Sequence, residues 1–258
     1  MKFDADLTAC ADLVQRADPD RFMATMASPV AARRVLFPLF ALNIEIARAP
    51  WVTQEAMIAE MRLQWWRDAV DEIAKDGVVR RHQVVTPLSG VLTPDMAALL
   101  DEMIAVRRWD IYRDPFEDTA HFQRYIDQSS GTLMWVAART LGEADEQVVR
   151  DIGYATGVAN WFRAIPALVD RKRIPLLDGT PDGVRALAQE ALSRLDGAQK
   201  ARAKVSKTAS SALLVGWQTA AILRQVIRDP NRVANGALGQ SEAAKRASLM
   251  FRAATGRW

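Results

Sequence analysis

Apolar residues recur every three or four positions along almost the whole chain, and that period leaves little room for a sheet. In 54–76, Ile58, Met61, Trp65, Ala69 and Ile73 form a stripe that predicts a core-facing side, while Glu60, Arg67, Asp68, Asp71 and Lys75 occupy other faces. Thr53 is the expected N-cap of this helix and Gly77 its stop. The same period predicts helices over 95–111, opened by Thr93 and Pro94, and over 118–141, 145–169 and 181–200, the last opened by Thr180 and Pro181. It continues over 204–228, ending at Asp229 and Pro230, and over 241–254 after the turn region of Gly236 and Gly239. Upstream, 5–17 and 30–48 read as helices, with a kink expected at Pro38. Val78–Val79 and Val84–Val85 are too short and too broken by charge to count as strands. With short connections and no internal repeat, the expectation is one all-α domain over 1–258. Residues 1–19 form its N-terminal helix or extension, and 241–258 form a basic C-terminal helix.

The charge is unevenly placed. The net of +3 conceals 18 Lys/Arg against 25 Asp/Glu in residues 1–170, and 16 against 6 in 171–258. That basic excess suits an anionic membrane surface or an acidic partner, or else a solvated charged face. Nucleic acid is not expected, because no recognition motif accompanies the charge. The first twenty residues carry five aspartates and no apolar run, unlike a secretory signal or a basic mitochondrial presequence. The longest uncharged stretch, 208–223, is shorter than the roughly 20 apolar residues a spanning helix needs. One cysteine, Cys10, allows no internal disulfide and points to a reducing compartment. The expected location is cytoplasmic, with a peripheral position at the inner membrane as its companion.

Candidate chemistry is sparse. Asp68, Asp71 and Glu72 share a helical face that could hold Mg²⁺ against a diphosphate, or simply face water. Asp114, Glu117 and Asp118 surround Pro115 in a turn, where capping is the ordinary role. His82 and His121 have no adjacent nucleophile and read as surface residues; with Cys10 they are too few for a metal cage. Trp65, Trp66, Trp109, Trp135, Trp161 and Trp217 fall in helical stripes, where core packing is the default.

Two stretches carry more information. The run 33–43 (RRVLFPLFALN) followed by Glu45, and the run 153–163 (GYATGVANWFR) followed by Arg173 and Ile174, resemble the two signature motifs of the squalene and phytoene synthases. Between them, Trp65–Trp66, Trp109–Asp110, Tyr125 and Gly131 agree in order, so the resemblance covers roughly residues 20–225. It implies an all-α, isoprenoid-synthase-like bundle enclosing a central cavity. Active members join two prenyl diphosphates head to head, with Mg²⁺ held by aspartate pairs spaced i, i+4 on facing helices.

In this chain the first such pair falls on Ala47 and Trp51, and the second on Ala164 and Leu168. Without those clamps no metal site is expected, and Mg²⁺ enters only if displaced acids replace them. A branch of the family with the same loss assists assembly of respiratory complex I. The chain is similar to it in Asn43 and Glu45, in 61–66 (MRLQWW), and in Arg163, Ala164 and Pro166. The resemblance implies a non-catalytic pseudo-synthase with a respiratory-chain protein partner or a hydrophobic, isoprenoid-like ligand. Arg33, Asn43, Glu45, Arg48, Asn160 and Arg163 are the candidates for residual anion or polar binding in the cavity. For Arg33 and Arg163 the alternative is an ion pair with Glu45 or another interior acid. The competing function is an active transferase that uses Asp68, Asp71 and Glu72, or Asp110, in place of the missing clamps.

Overall fold

A computed structural model describes residues 4–75, 77–112 and 114–258. The described residues form fourteen α-helices in chain order. They are α1 (Ala5–Ala17), α2 (Pro19–Ala27), α3 (Val30–Arg48), α4 (Ala56–Ala74), α5 (Val85–Ser89), α6 (Pro94–Val106) and α7 (Thr119–Ile126). After them come α8 (Thr132–Leu141), α9 (Glu146–Asp170), α10 (Pro181–Lys200), α11 (Ser210–Leu213), α12 (Thr219–Arg228), α13 (Asn231–Ala234) and α14 (Glu242–Thr255). Short polar side chains start many of them. Asp4, Asp18, Asp118, Asp145, Thr180 and Ser241 each accept a backbone N–H of the first turn, satisfying donors the helix itself leaves free.

Two helices form the centre. On α3, Leu36, Phe37, Leu39, Phe40, Ala41, Leu42 and Ile46 are all buried, so the helix is apolar nearly all round. It runs through Pro38 without interruption. Each large side chain so buried contributes about 1.5–3 kcal/mol. The other is α9, also uninterrupted at Pro166. One continuous apolar cluster extends from Leu7 on α1 to Val233 on α13 and takes in Trp258. A smaller cluster of Ala24, Leu214, Trp217 and Leu249 seats α14 against α2.

Five sequence expectations need correction. Helix α4 turns a different face inward from the one its stripe suggested. Ala59, Leu63, Trp66, Val70 and Ile73 are buried with Ala69, while Ile58, Met61 and Trp65 are exposed. Its start is also later, because Thr53 bonds the Glu55 N–H (3.1 Å) and the helix begins at Ala56. The helix expected over 118–141 is interrupted by a π-helical turn at Asp127–Gly131, where the Ser129 hydroxyl donates to the Tyr125 carbonyl (2.6 Å). The one expected over 204–228 breaks into short turns before α12. Ser206 bonds the Glu143 carbonyl through its N–H (2.9 Å), and its hydroxyl accepts from the Ala209 N–H (3.3 Å). The last residues of 95–111 tighten into a 3-10 turn at Arg107–Asp110.

Candidate functional site

The C-terminal ends of α1 and α3, the first turns of α2, α12 and α14, and the C-terminal half of α9 meet around a cavity of about 890 Å³. Helix α9 comes close to the π-helical turn because glycine faces it. A Cβ on Gly153 would stand 2.7 Å from the Gly131 Cα, and one on Gly157 would stand 2.7 Å from Ile126 and Ser130 carbons. This contact brings Ser129 and Ser130 to the cavity beside Thr156, whose hydroxyl is 3.0 Å from that of Thr219.

Two charged groups face the space. The buried one is Arg107, Asp110 and Tyr125. The Tyr125 hydroxyl donates to Asp110 Oδ1 (2.7 Å), and Arg107 Nη1 donates to Asp110 Oδ2 (3.2 Å) and to the Tyr125 oxygen (2.8 Å). Burial pushes the Tyr125 phenol well above its ordinary range, and Arg107 pulls against that. Burial would also discharge Arg107, but Tyr125 and Asp110 outweigh it and hold the guanidinium charged. Arg173 donates to the backbone carbonyls of Asp110 and Tyr112, tying this turn to the chain after α9. Trp109, Phe116, Phe122, Tyr125 and Trp161 pack edge-on and stacked around it, with Trp109 and Phe116 centroids 4.0 Å apart.

The second group is more open. Arg163 Nη2 lies 3.1 Å from Asp20 Oδ2, and Lys245 Nζ lies 3.4 Å from Asp20 Oδ1 and 2.9 Å from Glu242. Arg21 pairs with Asp18 at 3.5 Å. Burial would raise the Asp20 carboxyl, but the Gln218 side-chain amide, Arg163 and Lys245 together hold it below its ordinary value of 3.8. The folded carboxyl thus titrates below the unfolded one, so the cluster's contribution is complete above the unfolded value and is lost as the pH falls below it. Thermal unfolding between about pH 6 and pH 3 should show a steeper acid loss in the wild type than in Asp20→Asn. Parallel acid limbs would mean that the cluster carries no stability.

Of the sequence candidates, Asn43, Ala47, Trp51, Asn160, Arg163, Ala164 and Leu168 line the cavity. Arg33, Glu45 and Arg48 stand outside that lining. Arg33 donates to the Met26 carbonyl (2.7 Å) and the Ser28 carbonyl (3.3 Å), closing the end of α2. Arg48 pairs with Glu45 at 3.6 Å. Trp51 is covered on its ring by Arg171 and Arg173. Asp68, Asp71 and Glu72 bond Gln64, Lys75 and Arg80, away from the cavity. Among the described residues, no group of three or more His, Cys, Asp or Glu could hold a metal ion.

His82, expected at the surface, is half-buried against Trp65 and Trp66, and its Nδ1 accepts from the Val84 N–H (3.1 Å). Burial lowers its pKa. Cys10 is fully buried and donates to the Gln83 carbonyl (3.3 Å); burial, aided by Asp6 and Asp4, pushes its thiol up to about 12. Sequence reasoning missed Asp20, Arg21, Arg107, Gln218 and Lys245. Only the placement of α2 beside α12 and α14 joins most of them.

Comparison with known proteins agrees with this architecture. A dehydrosqualene synthase crystal structure superposes with a TM-score of 0.75 over 97% of this chain and 96% of that one, at 12% identity. A squalene synthase from Alicyclobacillus acidocaldarius superposes with a TM-score of 0.68 over 88% and 94%, at 15% identity. These likenesses establish the isoprenoid-synthase fold. In sequence, the chain is 26% identical over 194 residues to the complex I assembly factor 6 homolog of Drosophila melanogaster, covering 72% of this chain and 58% of that protein. It is 23% identical over 169 residues to complex I assembly factor 6 of Bos taurus, covering 64% and 51%. The chain therefore spans little more than half the length of these relatives. The squalene/phytoene synthase family model matches residues 14–176, and the chain belongs to that family.

Proposed function

We propose that this chain is a synthase-fold protein without prenyl-condensing activity that acts as an assembly factor for respiratory complex I. The observation that carries the reading is the charge pairing inside the cavity. Each lining cation has a carboxylate partner: Arg21 with Asp18, Arg107 with Asp110, Arg163 with Asp20, and Lys245 with Asp20 and Glu242. Ionisation of an allylic diphosphate needs the opposite, namely free cations and a Mg²⁺ cluster that stabilise the departing charge. A Mg²⁺ cluster requires several carboxylate oxygens converging on the ions. The four lining acids are instead committed to Arg and Lys, and Ala47, Trp51, Ala164 and Leu168 offer no oxygen ligand from their side chains. The residues present do not fit the metal. A transferase using displaced acids finds little support, because Asp68, Asp71 and Glu72 lie off the cavity and Asp110 is already bound by Tyr125 and Arg107.

The names of the sequence relatives supply the complex I part of the reading. Cells lacking the chain should lose assembled complex I on native gels while unrelated complexes persist. Normal complex I levels in such cells would sink it.

A peripheral position at the inner membrane belongs to the same proposal. No helix among the described residues is long and apolar enough to cross a membrane. Exposed Met250 and Phe251 on α14 stand near Arg246, Arg252 and Arg257 in sequence, and none of these arginines has a carboxylate partner among the described residues. Anionic vesicles should retain the protein at low salt and release it at high salt. Equal retention on neutral vesicles would count against this surface.

A further inference from the structure

The charge pairing that disfavours a diphosphate also narrows what the cavity can accept. A volume of about 890 Å³ is lipid-sized, and residues such as Met23, Trp51, Leu133, Leu168 and Ile222 make about half of its wall apolar. Every lining cation is neutralised in place. A ligand phosphate would therefore have to displace Asp20 or Asp18 from its cation and then lie beside the freed carboxylate. An uncharged head meets no such penalty.

One lining group asks for a specific partner. Gln218 is 5% exposed, and its side-chain amide is one of the groups that hold the Asp20 carboxyl low. A carboxylate can only accept, so the amide N–H₂ is the end directed at Asp20. That leaves Oε1, which is buried and has no hydrogen-bond partner. A buried acceptor left open is costly, and a ligand hydroxyl would satisfy it.

The geometry points to an uncharged long-chain lipid alcohol as the ligand of this cavity, its chain against the apolar wall and its hydroxyl donating to Gln218 Oε1. The inference rests on the non-catalytic reading and deepens it, since it names what the cavity holds instead of a substrate.

The test compares three probes of equal chain: farnesol, farnesane (no head group) and farnesyl diphosphate with Mg²⁺. Binding is followed by native mass spectrometry and thermal shift on the full chain, with pyrophosphate release monitored in parallel. Farnesol should bind roughly tenfold more tightly than farnesane, the difference a single hydrogen bond supplies, and more tightly than the diphosphate. At saturation it should raise Tm by roughly 5 °C. In Gln218→Met, farnesol should fall to the level of farnesane while farnesane binding is unchanged, an outcome that mere loosening of the fold would not give. The inference is overturned if no probe binds, if the diphosphate binds as tightly as farnesol without turnover, or if Gln218→Met leaves the farnesol preference intact. In each of those cases the non-catalytic reading stands. Release of pyrophosphate would overturn that reading instead.

Discussion

Replacing Asp110 by alanine is expected to cost about 3–5 kcal/mol of folding stability, among the largest effects of any single change in this chain. Asp110 is 7% exposed and receives both the Tyr125 hydroxyl and the Arg107 guanidinium. Removing it strands a cation that the surrounding aromatic residues cannot solvate, and Arg107 Nε already lacks a partner. The cost comes from the stranded charge, so a double variant should recover much of it. Asp110→Leu combined with Arg107→Met removes both charges, and its loss should be smaller than the sum of the two single losses. Denaturant unfolding of the singles and the double measures this directly. A loss below about 1 kcal/mol for Asp110→Ala would mean that water reaches the group and that it behaves as a surface pair.

The second large effect lies where α9 touches the π-helical turn. In an exposed helix, Gly→Ala is stabilising, because alanine is the better helix former by about 1 kcal/mol. At Gly153 the sign should reverse. The new Cβ would meet the Gly131 Cα at 2.7 Å and the Ser130 carbonyl oxygen at 3.0 Å, and these backbone atoms cannot rotate away. Separating the two elements should cost about 1–3 kcal/mol and open the cavity wall at Ser129 and Ser130. Gly197 is the internal control. It sits within α10 with nothing within 4 Å of its Cβ position, so Gly197→Ala should stabilise by roughly 0.5–1 kcal/mol. Equal shifts in Tm for the two variants would contradict the close approach.

The fold was largely legible because its helices announce themselves by period and cap. Thr93 and Pro94, Thr180 and Pro181, and the apolar run of α3 each mark an element the structure contains, whereas α2, opened by Asp18 and Pro19, went unread. The errors have physical causes. On α4, two apolar stripes of the same period lie side by side, one through Leu63 and Trp66 and one through Met61 and Trp65. Periodicity cannot choose between them; contact with α6 does. The Trp65 ring is occupied by Arg80 at 4.9 Å and by His82 at 5.1 Å, although the residue remains 36% exposed. In 204–228, the Ser206 hydroxyl accepts the Ala209 N–H and pairs with the Thr208 hydroxyl, local hydrogen bonding that competes with a helix.

The site divides in the same way. Asn43, Ala47, Trp51, Asn160, Arg163, Ala164 and Leu168 were readable because they lie in local motifs, and all seven line the cavity. Asp20, Gln218 and Lys245 were not, since the pairing joins residues 225 positions apart. That cluster carries most of the functional argument. It turns what could have been a phosphate-binding rim into a set of closed ion pairs.

The central claim is that this family member does not ionise prenyl diphosphates. Incubating the full chain with farnesyl or geranylgeranyl diphosphate and Mg²⁺ and measuring pyrophosphate tests it most directly. The account predicts no release above the protein-free rate. Turnover that scales with protein concentration and vanishes with a chelator would contradict it.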